Sequence, residues 1–272
     1  MADQKLTQLD AITSVSSDDI VYVVDDPGGS PISKKITVEN LLGGWISADA
    51  MTYASADDPT YTMTCTGDKT SKYQAGQKIK LSQSTGGTKY FIVTKVEYSS
   101  STTLTLYGGT DYNLEDEAIS TPFYSIAKAP FGFPLDPTKW TVLTSDANDR
   151  SQASPAQNTW YNLSISINLP IGVWNVNYQS NIYASDTAAS AWSIYTTLST
   201  ANNSESNSDW TSGLYFSEVK EAYSSVYRSG VISITAKATY YLNLRTTALN
   251  LDAIHFYGPN SPTIITAVCA YL

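Results

Sequence analysis

A strict alternation of apolar and polar residues is the feature that most constrains this fold. From residue 232 to residue 245, every second side chain is apolar or aromatic, and the residues between them are mostly polar or charged. The apolar set is Ile232, Ile234, Ala236, Ala238, Tyr240, Leu242 and Leu244. A period of two places such a set on one face of an extended strand, whereas a helix would scatter it around its axis. We therefore expect this part of the chain to bury one face of a β-sheet.

Neighbouring parts of the chain repeat this alternation. Apolar residues from Leu163 to Leu169 alternate with asparagine and serine, and the run Val173–Tyr178 resumes the pattern after a turn at Pro170 and Gly172. The chain also holds 20 Tyr and 6 Trp, and aromatic and β-branched residues favour half-buried pleated surfaces over helices. We predict an all-β protein.

Turn signals and a proline-rich linker divide the 272 residues into three segments. Residues 1–44 are expected to form an N-terminal anchoring hairpin. Residues 45–133 hold short alternating runs separated by glycine pairs, which is typical of a small β-barrel, here acting as a spacer. After the linker, residues 134–272 are expected to form a C-terminal jelly-roll-like β-sandwich, the head domain.

The lysines of the second segment fall mainly on the outward phase of their runs. They are Lys78, Lys80, Lys89 and Lys95. Charged side chains at alternate strand positions are usually solvated, because burying an unpaired charge is costly. We expect these lysines to lie on solvent-exposed faces of the second segment.

The N-terminal segment contains a strand that is apolar on both faces. In DIVYVVD, which ends at Asp25, both the odd and the even positions are apolar, and some 40 residues rarely bury such a strand alone. A partner must therefore cover it, and the alternative is a mobile leader peptide. The residues expected to make the anchoring contacts are Ile20, Val21, Tyr22, Val23, Val24, Ile36, Val38, Leu41 and Leu42.

Several stretches resemble a known group of proteins. The pattern KLTQLDAI, DDIVYVVDD and SKKITVENLLGG resembles a short N-terminal module of tailed-bacteriophage appendage proteins, which include tail fibres, spikes and head fibres. The text from WISADAMTYASADDPTYTMTC to AVCAYL is similar to phage and prophage structural proteins. The resemblance implies a virion protein assembled in the bacterial host cytoplasm, anchored through its N-terminus to a capsid, portal or connector, or tail protein. It implies no site residues.

The C-terminal strand predicts both a place in the sheet and an oligomeric state. The tail PTIITAVCAYL is apolar in both phases to its last residue, so its strand should be central in the sheet. In trimeric jelly rolls of viruses such a strand commonly lies near the threefold interface. By this analogy we expect a homotrimer.

The search for an enzyme site finds no constellation. The single histidine, His255, lies between apolar residues of a predicted strand, and no G-x-S-x-G motif occurs. Adjacent carboxylates, such as Asp57 and Asp58, point to opposite faces of a strand and make poor catalytic pairs. No CxxC, HExxH or calcium-loop motif occurs either. We expect no enzymatic activity, no metal and no cofactor, and we rank polysaccharide hydrolysis last.

Charge and hydropathy exclude two classes of partner. The formal net charge is −9, and no segment carries the basic stripe that phosphate backbones require, so we expect no nucleic acid. No apolar run reaches 18 residues, which excludes membrane insertion by a spanning helix. The cysteines Cys65 and Cys269 lie in different segments and are expected to be buried and unbridged.

Binding is the function class that the sequence favours. The polar stretch Ser199–Gly213 reads as a long exposed loop, and tyrosines follow it. Aromatic rings stack on sugars while amides, acids and hydroxyls bond to them, which predicts a host cell-surface glycan as ligand. The candidate ligand-binding residues are Asn202, Asn203, Asp209, Trp210, Tyr215, Tyr223 and Tyr227. The alternative function is a head fibre or capsid decoration with a purely structural role.

Overall fold

The computed structural model describes residues 19–25, 29, 32–38, 41 and 44–272. Its strands are β1 (Ile20–Asp25), β2 (Ile32–Thr37), β3 (Ile46–Ser47), β4 (Thr52–Asp57), β5 (Thr60–Thr66), β6 (Lys78–Gln83), β7 (Gly87–Tyr98), β8 (Ser101–Tyr107), β9 (Ser120–Ser125), β10 (Thr141–Asp146), β11 (Asp149–Ala153), β12 (Trp160–Leu169), β13 (Gly172–Ser199), β14 (Thr211–Ile234), β15 (Ala238–Thr246), β16 (Ala253–Tyr257) and β17 (Thr263–Cys269). All strand pairs are antiparallel, so the prediction of an all-β protein is confirmed.

A two-stranded hairpin forms the N-terminal sheet. Strand β1 pairs with β2 from Ile20 opposite Thr37 to Asp25 opposite Ile32. Val38 and Leu41, which follow β2, have helical backbone conformation. The predicted two-faced strand is therefore present in a hairpin, whereas the predicted anchoring residue Leu42 lies outside the described residues.

The second segment forms a seven-stranded antiparallel sheet in the order β3-β9-β6-β7-β8-β5-β4. One face of it covers a core that includes Met63, Ile79, Phe91 and Leu104. The outer strands β3 and β4 do not pair with each other among the described strands, and β3 spans only two residues. The sheet is therefore open, and the predicted closed barrel is not found.

The third segment forms an eight-stranded antiparallel sheet that folds over on itself as a sandwich. The long strand β13 organises it, because one edge of β13 pairs with β14 along most of its length. The other edge of β13 pairs in turn with β17, β16 and β15. Strands β10, β11 and β12 complete the sheet against β17, β16 and β15. Residues such as Trp174, Tyr178 and Leu244 fill the core between the layers.

The long alternating run from residue 232 to residue 245 is divided between two strands. Strand β14 ends at Ile234 and β15 begins at Ala238, and Ala236 is exposed in the turn between them. The apolar phase persists through the turn, since Ile232, Leu242 and Leu244 are all buried. A period of two thus predicted the buried face correctly but could not show where the chain turns.

Aromatic side chains join the seven-stranded sheet to the sandwich. The Tyr107 ring lies 5.0 Å from that of Trp174, and Phe133 stacks on Trp140 with ring centroids 5.0 Å apart. Phe133 and Trp140 belong to the proline-rich linker and are buried. The two sheets therefore share one apolar core across the linker, and a domain boundary at residues 133 and 134 stays a prediction.

Two of the four lysines expected in solvent are buried. Lys78 is fully buried, and its Nζ donates hydrogen bonds to the backbone oxygens of Gly76 and Tyr271. Lys89 is also buried, and its Nζ donates to Gln83 Oε1 and to the backbone oxygen of Asn113. The expectation was wrong for both: the C-terminal end of the chain covers Lys78 at Tyr271, whereas Lys89 lies on the core face of β7, opposite Leu81.

The C-terminal strand has the predicted place in its sheet, and the cysteines are buried as predicted. Strand β17 lies between β10 and β13, so it is central in its sheet. Its residues alternate between buried and half-buried positions. Cys65 and Cys269 are both buried and free. Burial raises the pKa of the Cys269 thiol to about 11, which keeps it protonated and unreactive at neutral pH.

Candidate functional site

The anchoring residues predicted from the sequence lie on both faces of the N-terminal hairpin. Ile20 and Tyr22 share one face and are 59% and 67% exposed. Val21, Val23 and Ile36 are half-buried on the opposite face, where Val21 pairs with Ile36. The backbone of Val24 lies within β1, next to that of Val23.

Two further anchoring residues follow β2, where the chain leaves the hairpin. Val38 is half-buried, and its backbone N–H donates to the Asp19 oxygen across the hairpin. Leu41 is exposed. The apolar side chains of Ile20, Tyr22 and Leu41 therefore face solvent in the single chain, which is costly unless another surface covers them.

The polar loop after β13 uses several of its side chains to hold itself against the sandwich. Asn203 Oδ1 accepts from the backbone N–H of Asn162, and the Asn203 N–H donates to Asn243 Oδ1. The Asn243 amide in turn donates to the backbone oxygens of Ala201 and Ser204. Asn202 is exposed. The composition that predicted ligand binding therefore serves, at Asn203, to fix the loop.

The end of this stretch is structured and partly buried. The expected loop is interrupted by a 3-10 turn, Ser208–Trp210, after which β14 begins. Trp210 is only 9% exposed, its ring lies against Gly230, and its backbone oxygen accepts from the Tyr178 hydroxyl. Asp209 is exposed, and its backbone oxygen accepts from Arg228. Trp210 is therefore packed into the core of the sandwich.

The three candidate tyrosines all lie on β14 and are exposed. Tyr215 is opposite Ser193, Tyr223 is opposite Tyr183, and Tyr227 is opposite Gln179. Of the three, Tyr223 belongs to a group of contacting rings. The structure thus brings one predicted residue, Tyr223, into an aromatic surface cluster and leaves the others outside it.

This cluster, which we call the tyrosine face, consists of Tyr183, Tyr223, Tyr257 and His255. The Tyr183 and Tyr223 rings stack with centroids 4.5 Å apart and planes at 23°. His255 lies 4.9 Å from Tyr183, and Tyr257 lies 5.8 Å from Tyr183 and 5.5 Å from Tyr223. Tyr223 is 55% exposed, and the other three rings are half-buried.

Cross-strand register explains why these rings meet. Tyr183 of β13 is directly opposite Tyr223 of β14 on one side and His255 of β16 on the other. His255 is in turn opposite Ser151 of β11. Directly opposed residues on one face lie about 5 Å apart, so four strands place one row of side chains across the outer surface of the sandwich.

Polar groups border the tyrosine face. Asp149 Oδ1 lies 2.7 Å from His255 Nδ1. Ser225 donates to Asn181 Oδ1 over 2.6 Å, and these two residues are opposite each other next to the Tyr183 and Tyr223 pair. Desolvation and the neighbouring Tyr183 raise the pKa of Tyr223, so its phenol stays neutral and can both donate and accept hydrogen bonds.

The pair of Asp149 and His255 does not form a catalytic triad. Ser151 is opposite His255 in register, yet no hydrogen bond joins their side chains. A serine nucleophile needs the histidine within hydrogen-bond reach. The part of the chain that the structure describes also contains no group of three or more His, Cys, Asp or Glu side chains arranged to hold a metal ion.

Sequence reasoning missed Tyr183, Tyr257, His255 and Asp149 as parts of one surface. The local sequence shows that each of these residues lies on the outward phase of an alternating strand. It does not show that the four side chains lie close together. Only the pairing of β16 with β13 brings them together, and local periodicity does not show which distant strands pair.

No family model and no curated protein sequence matches the chain. The crystal structure of the infectious bursal disease virus VP2 subviral particle is similar over 91% of this chain and 67% of its own, with 11% identity and a TM-score of 0.29. The infectious bursal disease virus Gt strain structure matches 85% of this chain and 80% of its own, with 12% identity and a TM-score of 0.30.

A third similar structure is that of an enzyme. The isomalto-dextranase of Arthrobacter globiformis, complexed with panose, is similar over 80% of this chain and 36% of its own, with 13% identity and a TM-score of 0.23. The strands of the protein define its class as an antiparallel β-sandwich joined to an open seven-stranded sheet. Across the described residues, no helix is long and apolar enough to cross a bilayer.

Proposed function

We propose that this protein is a structural component of a bacteriophage virion, an appendage that attaches the particle to the surface of its host. In this proposal residues 1–44 dock on a capsid, portal or connector, or tail protein. Residues 134–272 face the host cell, and three copies of the chain act together. The tyrosine face, an exposed cluster of contacting rings on the sandwich, is the observation that carries the attachment role.

The N-terminal hairpin supports docking on another protein. Two-stranded hairpins are marginally stable alone in water, and this one exposes Ile20 and Tyr22 on one face. Strands β1 and β2 pair only with each other among the described strands, so each has a second edge. A partner could add a strand at such an edge and cover the apolar face, as in β-augmentation.

The tyrosine face supports attachment to a surface. Exposed aromatic clusters are unusual on monomeric soluble proteins and commonly mark binding sites. Three copies of a weak site on one appendage would bind a cell with far greater avidity than one.

Incorporation of variants into particles tests the anchor. We expect the double variant Ile20→Asp, Tyr22→Asp to be absent from purified virions, because charged groups cannot enter an apolar interface without large desolvation cost. Both side chains are exposed in the chain, so the thermal unfolding of residues 45–272 should not change. Particle composition by mass spectrometry and unfolding by circular dichroism give the two measurements.

Leu249→Asp is the matched control, because Leu249 is 72% exposed but lies in the sandwich. It should be incorporated like the wild type. Normal incorporation of the hairpin variant would refute docking through the hairpin. Virions that lack the protein and still adsorb normally to host cells would refute attachment and leave the decoration role.

A further inference from the structure

We propose that the tyrosine face, with Asp149 and Asn181 beside it, is a binding site for an uncharged saccharide chain of the host surface. This inference rests on the attachment role proposed above and specifies its ligand and its location. The site differs from the polar loop after β13, where Asn203 and Trp210 are committed to the fold.

The rings provide the apolar half of a sugar site. Saccharides present faces of C–H groups that pack on aromatic rings, and Tyr and Trp combine such a surface with a polar tip. Tyr223 is 55% exposed and is backed by the stacked Tyr183 ring 4.5 Å away. Tyr257 stands at 71° to Tyr223 with centroids 5.5 Å apart. The rings therefore offer one broad surface whose orientation is fixed by mutual contact.

The bordering side chains provide the polar half. Asp149 accepts one hydrogen bond through Oδ1 from the His255 ring, and a carboxylate has further acceptor positions. Asn181 accepts from Ser225 through Oδ1, which leaves its amide hydrogens as donors toward a ligand. Sugar hydroxyls both donate and accept, so this mixture of acceptor and donor groups complements them.

The charges around the site select against acidic sugars. Asp149 and Glu221 lie at outward positions of β11 and β14, in the same phase as Ser151 and Tyr223. The nearby arginines occupy the alternate phase: Arg150 is paired with Asp146, and Arg228 donates to the Asp209 backbone. Like charges at close range disfavour an anionic ligand. An uncharged polysaccharide meets no such penalty.

The geometry also favours an extended ligand over a single sugar. The row from Ser151 through His255 and Tyr183 to Tyr223 crosses four strands on a sheet surface, and neighbouring strands are about 4.8 Å apart. Such a row spans several sugar rings. Shallow contacts of this kind are individually weak, which is consistent with a site that works through several copies.

Binding of the full-length protein to cells of the bacterium on which the virions propagate tests the inference. The variants are Tyr223→Ala and Tyr183→Ala with Tyr223→Ala, and the control is Tyr98→Ala, an exposed tyrosine of β7 outside the cluster. We expect each cluster variant to lose at least about tenfold in apparent affinity, the equivalent of about 1.4 kcal/mol. The control should bind like the wild type, and unfolding curves should match.

Treatment of the cells identifies the ligand class. Periodate, which oxidises sugar diols, should abolish binding, whereas protease treatment and enzymatic removal of acidic sugars should not. Loss of binding after protease, or full binding by the cluster variants, would overturn this inference while leaving attachment intact. No binding by the wild type would overturn the attachment role itself. Lower mass of the cluster variants in light scattering would instead make the tyrosine face a contact between copies, against the inference.

Discussion

At the residue scale, Lys78 is a buried cation at the contact between the two sheets. Its Nζ donates over 2.6 Å to the Tyr271 oxygen, and the ammonium lies 5.5 Å from the centre of the Phe133 ring. Burial lowers the pKa of Lys78 to about 8 from its ordinary value of 10.5. The folded protein therefore releases this proton more easily than the unfolded chain does.

This difference predicts a rise in stability with pH. Between pH 8 and 10.5 the unfolded state holds the proton that the folded state has lost, so the free energy of unfolding increases with pH in that window. From pH 8 to pH 9 we expect wild type to gain about 1 kcal/mol more than Lys78→Met. Urea unfolding at the two pH values measures it. The exposed Lys220→Met variant should behave like wild type, and equal slopes for Lys78→Met would contradict the assignment.

The sequence predicted the phase of this lysine but not its environment. Lys78 alternates with Ile79 as an outward residue should, yet the C-terminal end of the chain covers it at Tyr271. Local periodicity reports which face of a strand a side chain takes and is silent about what lies over that face. The burial of Trp210 was likewise not apparent from the sequence, because its polar neighbours gave no sign of Gly230 of β14 against its ring.

At the scale of elements, the strands were largely predictable and their partners were not. The alternation of β12 and β15 and the two-faced character of β1 and β17 follow from composition. Strand β13 was expected as a short run ending at Tyr178, but it continues to Ser199, because small polar residues beyond Tyr178 are compatible with a strand that pairs on both edges. Pairing of β13 with four other strands depends on distant segments, which periodicity does not encode.

The contact between the two sheets depends on a glycine. Gly109 has a positive φ of 65°, and a Cβ there would lie 2.2 Å from the Lys139 backbone oxygen. Gly87 has the same φ of 65°, but no atom lies within 4 Å of its Cβ position. We expect Gly87→Ala to cost about 1 kcal/mol through backbone strain. Gly109→Ala should cost at least about 3 kcal/mol, because the linker must also move.

Chemical denaturation of the two glycine variants measures this difference. The difference between the two variants isolates the steric contact between the turn after β8 and the linker, since the backbone strain is common to both variants. Equal destabilisation would show that the linker is not packed against the seven-stranded sheet. Because of this packing, truncation of the chain at residue 134 would expose Tyr107 and its neighbours.

At the scale of the whole molecule, the proposed trimer predicts a mass and a surface. Leu143 and Val231 are 60% and 64% exposed and lie on the outer surface of the sandwich. Leu143 is opposite Thr266 of β17, and Val231 is separated from half-buried Val268 of β17 by Asn175 of β13. Exposed apolar side chains on either side of the C-terminal strand are suited to contact between copies. Light scattering should give three times the chain mass of 29.5 kDa.

The variant Leu143→Asp with Val231→Asp should lower that mass to 29.5 kDa without changing the far-ultraviolet circular dichroism spectrum. Leu249→Asp, on an exposed loop, should leave the assembly intact. A wild type that scatters as a single chain at micromolar concentration would refute the trimer. The sequence predicted this assembly only by analogy, because the packing of one chain does not specify its symmetry.

The ribbon of β13 and β14 has a mechanical consequence. Register extends from Gly172 opposite Ile234 to Thr197 opposite Thr211, with shifts between Ser185 and Ser190 and between Ser190 and Trp192. Tension directed along these strands would load the hydrogen bonds of each regular stretch simultaneously in shear. Separation would then require nearly all of them to rupture together, whereas a ribbon peeled from one end opens bond by bond. Tyr183 and Tyr223 lie within this ribbon. A ligand bound to them would therefore transmit tension along the strands with little extension of the protein.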